Sequence, residues 1–174
     1  MRTITFKAIL LTAIISTSLF AIPATAGNEL APEGHKDPII LVHGYFGSVL
    51  GQLSAEVYWS YYTTRFAIDG YKTYRIALPE GAIFADVVES ANRLRDFVNE
   101  VRAKTGADKV DIVCHSEGGL VARYYLENLG GTAFVDDLVT ISTPHRGTTV
   151  ASIGPGIAAR QMEVYSDFVR QLNA

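Results

Sequence analysis

The hexapeptide Cys114-His115-Ser116-Glu117-Gly118-Gly119 carries the sharpest chemical signal in the sequence. It follows the apolar run Val110-Asp111-Ile112-Val113 and precedes a segment of helical character, so Ser116 sits where a strand gives way to a helix. A nucleophilic serine needs its hydroxyl thrust out of the edge of a sheet, and a tight strand–turn–helix does this at the cost of backbone strain. Small residues two before and two after the serine, here Cys114 and Gly118, let the helix pack close to the strand. The helix points its positive end at the hydroxyl, which favours an oxyanion. The plainer account is that Ser116 caps a helix. The β-branched strand before it, the two glycines after it and the amphipathic helix beyond weigh against that account.

A second signal, Leu41-Val42-His43-Gly44-Tyr45-Phe46-Gly47, lies upstream, with Gly44 seventy-two residues before Ser116. Acyl transfer to a serine needs backbone N–H groups aimed at the developing oxyanion. One usually comes from the residue after the serine and one from a loop following an earlier strand. Glu117 is the candidate for the first and Tyr45 for the second. A His-Gly pair alone is only a turn; in this order relative to Ser116 it gains meaning.

The elements that must hold these residues follow from hydrophobic periodicity. Pro38 to His43 is an unbroken apolar run, which suits a strand covered on both faces of a parallel sheet. Ser54 to Ile68 reads as an aromatic-rich helix and Tyr71 to Leu78 as a second strand. In Asp86 to Thr105, Val87, Ala91, Leu94, Val98 and Val101 recur on one helical face, with Asp86 as cap and Gly106 as stop. Val110 to Cys114 is a strand, Gly118 to Leu129 a helix, Leu138 to Ser142 a fourth strand, and residues 157–172 one further helix. Strands alternating with helices of this length mean βαβ units and a mostly parallel sheet in the α/β class.

At this point the sequence resembles the α/β-hydrolase superfamily, and within it the bacterial secreted triacylglycerol lipases and esterases. The resemblance covers Asp37 to about Val150 and rests on "PIILVHGYFGS", "VDIVCHSEGGLVARYYL" and "LVTISTPHRGT". It departs from the usual pattern at Cys114, where glycine is commoner. The resemblance implies an α/β-hydrolase fold and a serine nucleophile, Ser116, that cleaves carboxylic esters through an acyl-enzyme. It implies Tyr45 and Glu117 as oxyanion donors, an ester or lipid substrate, and no cofactor. It also implies an acid and then a histidine late in the chain. The only histidine after Ser116 is His145, in the "TPHRG" segment that lines the site in the family, so His145 is a weak candidate for the base. His43 is accounted for by the oxyanion loop, and His115 is turned away from its neighbour. Asp136 and Asp137 belong at the far sheet edge, Glu127 at the far end of the helix, and Glu163 and Asp167 on a helix. The expectation is therefore an N-terminal two-thirds of a hydrolase, with the C-terminal strands, the acid and the base beyond residue 174. Alternatives are a non-catalytic remnant or another chemistry of the superfamily, such as a thioesterase, a lactonase or a polyester depolymerase.

Composition sets the remaining bounds. Arg2 and Lys7, an apolar stretch from Ala8 to Ile22, and Ala24-Thr25-Ala26 form the three parts of a secretory signal peptide. Cleavage after Ala26 leaves residues 27–174 as one hydrolase domain, secreted or periplasmic. The 174 residues carry 15 basic and 18 acidic side chains, and two of the basic ones leave with the leader, giving a net charge of −5. An acidic surface gives no basic patch for nucleic acid. A single cysteine excludes an intrachain disulfide, and the four histidines show no metal-ligand spacing. The aromatics of residues 57–66 and the glycines of 44–51 are compatible with an apolar substrate and a lipid interface, although core packing is the favoured account of those aromatics.

Overall fold

The structure, a computed structural model, describes residues 36–45, 52–79 and 86–174. The proposed leader and the glycine loop beyond Tyr45 lie outside the described residues. Four parallel strands, β1 (Ile39–Val42), β2 (Thr73–Arg75), β3 (Val110–His115) and β4 (Val135–Ile141), run in the order β2-β1-β3-β4. Helix α1 (Gln52–Ile68) links β1 to β2, α2 (Val87–Thr105) links β2 to β3, and α3 (Gly118–Asn128) links β3 to β4.

Successive strand residues face opposite sides of a sheet, so a doubly covered strand must be apolar throughout. All four residues of β1 are buried. Ile40 and Val42 join Ile112, Cys114 and the inner stripes of α2 and α3 in one core. Ile39 and Leu41 join Val113 and Trp59 of α1 in the other. Helix α2 buries Val87, Ala91, Leu94, Val98 and Val101, the stripe read from its periodicity. Its boundaries also match that reading. The Asp86 side chain accepts from the Glu89 N–H at 2.7 Å, and Gly106, at φ 74°, sends its N–H to the Arg102 carbonyl.

Three elements differ from expectation by more than two residues. Strand β2 is three residues rather than eight, because its one partner, β1, is only four residues long and pairs with it at three positions. Strand β4 begins at Val135, three residues early. Val110 pairs with Val135 and Ile112 with Leu138, so Asp136 and Asp137 together face Asp111 across a bulge. The Asp137 N–H donates to the Asp111 carboxylate at 3.2 Å, and Lys109 pairs with Asp136 at 2.6 Å. Polar residues that hydrophobic patterning assigns to a loop are thus held in the ladder by side-chain partners.

The third difference is at the C-terminus, where the single helix expected over 157–172 is two, α4 (Gly156–Gln161) and α5 (Asp167–Leu172). Ser166 makes the break. Its hydroxyl donates to the Gln161 carbonyl at 2.6 Å and accepts from the Val169 N–H at 3.1 Å, closing one helix and starting the next. The aromatics of α1 also divide: Trp59 is buried, whereas Tyr61 is 74% exposed, so core packing accounts for only some of them.

Candidate active site

The carboxyl ends of β1, β3 and β4 meet at one edge of the sheet. Ser116 leaves β3 at φ 54°, in the left-handed region that side-chain-bearing residues rarely occupy. Its N–H donates to the Ile141 carbonyl of β4 at 2.9 Å, and α3 starts two residues later. The strand-to-helix turn read from the sequence is therefore present, with the strain that such a turn entails.

Two glycines permit it. A Cβ on Gly118 would lie 2.6 Å from the His43 carbonyl oxygen and 2.7 Å from that of Val42, so α3 packs on β1 with no room for a methyl. A Cβ on Gly44 would lie 2.7 Å from Ser116 Cβ and 3.2 Å from its Oγ. The loop after β1 thus passes directly beside the serine hydroxyl. Cys114, at the other small position, is fully buried. Its thiol donates to the Val139 carbonyl at 3.3 Å, and burial pushes its pKa up to about 12.

Tyr45 follows Gly44 in that loop and is buried, its hydroxyl donating to the Pro155 carbonyl. Glu117 stands at the first turn of α3, where backbone N–H groups have no intrahelical acceptor. Its side chain is 2% exposed, with one carboxylate oxygen lacking a partner among the described residues. Burial pushes its pKa up to about 7. A carboxyl in such surroundings favours its neutral form.

The described histidines are engaged by other groups. His43 is buried and directs Nδ1 at the Gly44 carbonyl at 3.0 Å, and burial lowers its pKa. His115 packs its ring 5.3 Å from that of Tyr58. His145 brings Nε2 to the Thr140 hydroxyl at 3.1 Å, and burial and Arg123 lower its pKa. Among the described residues none of these rings is hydrogen-bonded to Ser116 Oγ. Of the acids, Glu127 pairs with Arg123 and Asp167 with Arg170, and Glu163 lies in the turn between α4 and α5. No group of His, Cys, Asp or Glu among the described residues could hold a metal ion.

Two features of this edge escaped sequence reasoning. Ser142, at the end of β4, is a second left-handed serine, at φ 51°. The Tyr45 side chain reaches 110 residues along the chain to Pro155. Nothing local in the sequence announces a contact between residues so far apart.

The profile of the family described as Lipase (class 2) matches residues 36–174. The chain belongs to this family. Among the similar proteins are triacylglycerol lipases from Pseudarthrobacter phenanthrenivorans and Burkholderia plantarii, each 36% identical over 117 residues, or 66% of this chain. Those residues make up 35% and 31% of the two relatives, so the chain spans about a third of their length. The Bacillus licheniformis lipase BlEst2 in its mature form superposes with a TM-score of 0.68 at 21% identity, covering 82% of this chain and 60% of that one. That likeness concerns the fold alone: the class 2 lipase chain has the α/β-hydrolase fold, a parallel sheet flanked by helices.

Proposed function

We propose that this class 2 lipase chain is the nucleophile-bearing part of an exported serine hydrolase that cleaves carboxylic esters, of the triacylglycerol lipase or esterase type. The observation that carries the reading is Ser116 in the left-handed conformation between β3 and α3, with Gly44 against its hydroxyl. In the proposed reaction Ser116 Oγ bonds to the ester carbonyl carbon, and the carbonyl oxygen becomes an oxyanion facing the N–H groups of Tyr45 and Glu117. The C–O bond to the alcohol then breaks, and the proton from Ser116 leaves with the alcohol. Water repeats the sequence on the acyl-enzyme and releases the acid.

This requires a base within about 2.6–3.2 Å of the hydroxyl, itself held by a third group. His145 is not assigned that role, because Thr140 engages its Nε2. We assign no acid to the triad. The export reading rests on the composition of residues 1–26, and intact mass of exported material is expected to show Gly27 as the first residue; retained Met1 would refute it.

The experiment is hydrolysis of a short p-nitrophenyl ester by residues 27–174, alone and joined to the C-terminal portion of the Burkholderia plantarii lipase. Alone, the chain is expected to turn over feebly. Serine hydrolases stripped of triad side chains keep roughly 10³–10⁴-fold over water. Ser116→Ala should change that residual rate little. The folded chimera is expected to turn over faster and to lose the gain on Ser116→Ala. A folded chimera indifferent to Ser116→Ala would refute the assignment. Brisk hydrolysis by residues 27–174 alone, abolished by His145→Ala, would make His145 the base.

A further inference from the structure

We propose that the side chain of Tyr45 is a positioning residue, tying the loop after β1 through α4 to the start of α2 so that the Tyr45 N–H stays beside Ser116. The catalytic consequence rests on the ester-hydrolase reading; the tie itself is a matter of packing.

A donor for an oxyanion must be held in place before the charge develops. Loops with few buried contacts open easily and hold nothing in place. The Tyr45 ring is buried in the main core, which joins Ala151, Ala158, Ala159 and Met162 of the C-terminal segment to strand residues such as Ile40, Val42 and Cys114. Its hydroxyl donates to the carbonyl of Pro155, the residue that caps α4. Burial and the nearby Glu117 carboxyl raise the pKa of that hydroxyl, keeping it a donor. The space is tight: a Cβ on Gly154 would lie 2.9 Å from Ala159 Cβ and 3.6 Å from the Tyr45 hydroxyl.

The far end of α4 is fixed in turn. The Gln161 side-chain oxygen accepts the Val87 N–H at 2.8 Å, and Val87 opens α2, the longest and best-capped helix described. The Met162 carbonyl accepts the Thr148 N–H at 2.8 Å. One path of hydrogen bonds and packing therefore runs from the loop beside Ser116 to a rigid helix.

The test uses the 174-residue chain with Tyr45→Phe, which removes one oxygen, and Gln161→Leu, which cuts the far end of the tie. Hydrogen exchange read by mass spectrometry is expected to accelerate about tenfold or more around Tyr45 and over 154–161 in both variants. The centre of α2 should exchange as before. For Tyr45→Phe the residual ester hydrolysis is expected to fall about tenfold in kcat with KM within about twofold, because the donor is misplaced rather than the substrate lost. Unchanged exchange around Tyr45 in either variant would overturn the tie. Acceleration throughout the chain, α2 included, would reduce Tyr45 to a general stability role and overturn it equally. Loosened segments with unchanged kcat would overturn the positioning of the N–H. Failure of the ester-hydrolase reading would appear separately, in the chimera's indifference to Ser116→Ala.

Discussion

Two turns at the same sheet edge make a natural pair. After β3 the chain passes through Ser116 at φ 54°; after β4 it passes through Ser142 at φ 51°. They are neighbours, since His115 pairs with Ile141 and the Ser116 N–H bonds to the Ile141 carbonyl. Beyond these two serines the chain takes different courses. Two residues past Ser116 is Gly118, pressed on β1 and opening α3; two past Ser142 is Pro144, which leads into a loop. A strained serine is thus not in itself a nucleophile. The first becomes a candidate because its chain opens a helix and the Gly44 loop meets its hydroxyl, whereas the chain after the second runs on into a loop.

The largest effect should come from filling the space that sets the first turn apart. Gly118→Val places side-chain atoms where backbone carbonyls of Val42 and His43 already sit, and neither can move without disturbing β1. We expect a loss of roughly 4 kcal/mol in urea unfolding, at the upper end of overpacking costs. Pro144→Ala, the matching position after β4, should cost under about 1 kcal/mol. Equal losses would mean that the two turns are not distinguished by packing.

A second prediction turns on Glu117, which the Ser116 turn buries. Its folded pKa, about 7, lies above the ordinary carboxyl value of 4.5. Between those values the unfolded chain gives up the proton while the folded chain keeps it, so stability should fall as pH rises from about 4.5 to 7 and level off above. The shift corresponds to about 3 kcal/mol at most. Unfolding measured at about pH 5 and about pH 8 should show that loss in the wild type, and Glu117→Gln should remove most of it. A wild type equally stable at both pH values would mean the carboxyl is solvated or paired.

The comparison also shows what could be read from the sequence. Helix α2 was legible to the residue because its apolar stripe, Asp86 cap and Gly106 stop all agree. The Ser116 turn was legible because strand, small residues and helix follow one another locally. The early start of β4 was hidden by Asp136 and Asp137, whose place in the ladder depends on Asp111 and Lys109 some 26 and 27 residues away. The break between α4 and α5 hung on one serine hydroxyl, which sequence periodicity cannot weigh. Tyr45 was named for its N–H, whereas its ring and hydroxyl act at a distance that patterning does not see. The sequence could place Ser116, but a base for it could be named neither there nor among the histidines of the structure.

The smallest expected effect bears most directly on the likeness of the two turns. A non-glycine residue in the left-handed region costs roughly 1–2 kcal/mol, and glycine avoids that cost while losing about 0.5–1 kcal/mol to the greater freedom of the unfolded chain. Ser142→Gly and Ser116→Gly should therefore each raise stability by about 0.5 kcal/mol in urea unfolding. Alanine at either site keeps the strained backbone and should gain nothing. In the chimera with the Burkholderia plantarii segment the two sites then part. Ser116→Gly should abolish the added ester hydrolysis, because the attacking oxygen is gone, whereas Ser142→Gly should leave most of it. A loss of more than about 1 kcal/mol on either glycine substitution would mean that side-chain hydrogen bonds rather than backbone strain decide that turn. Ser142→Gly abolishing hydrolysis at unchanged stability would mean that the second serine, too, touches the reacting groups, and the contrast between the turns would then be one of role within a single site.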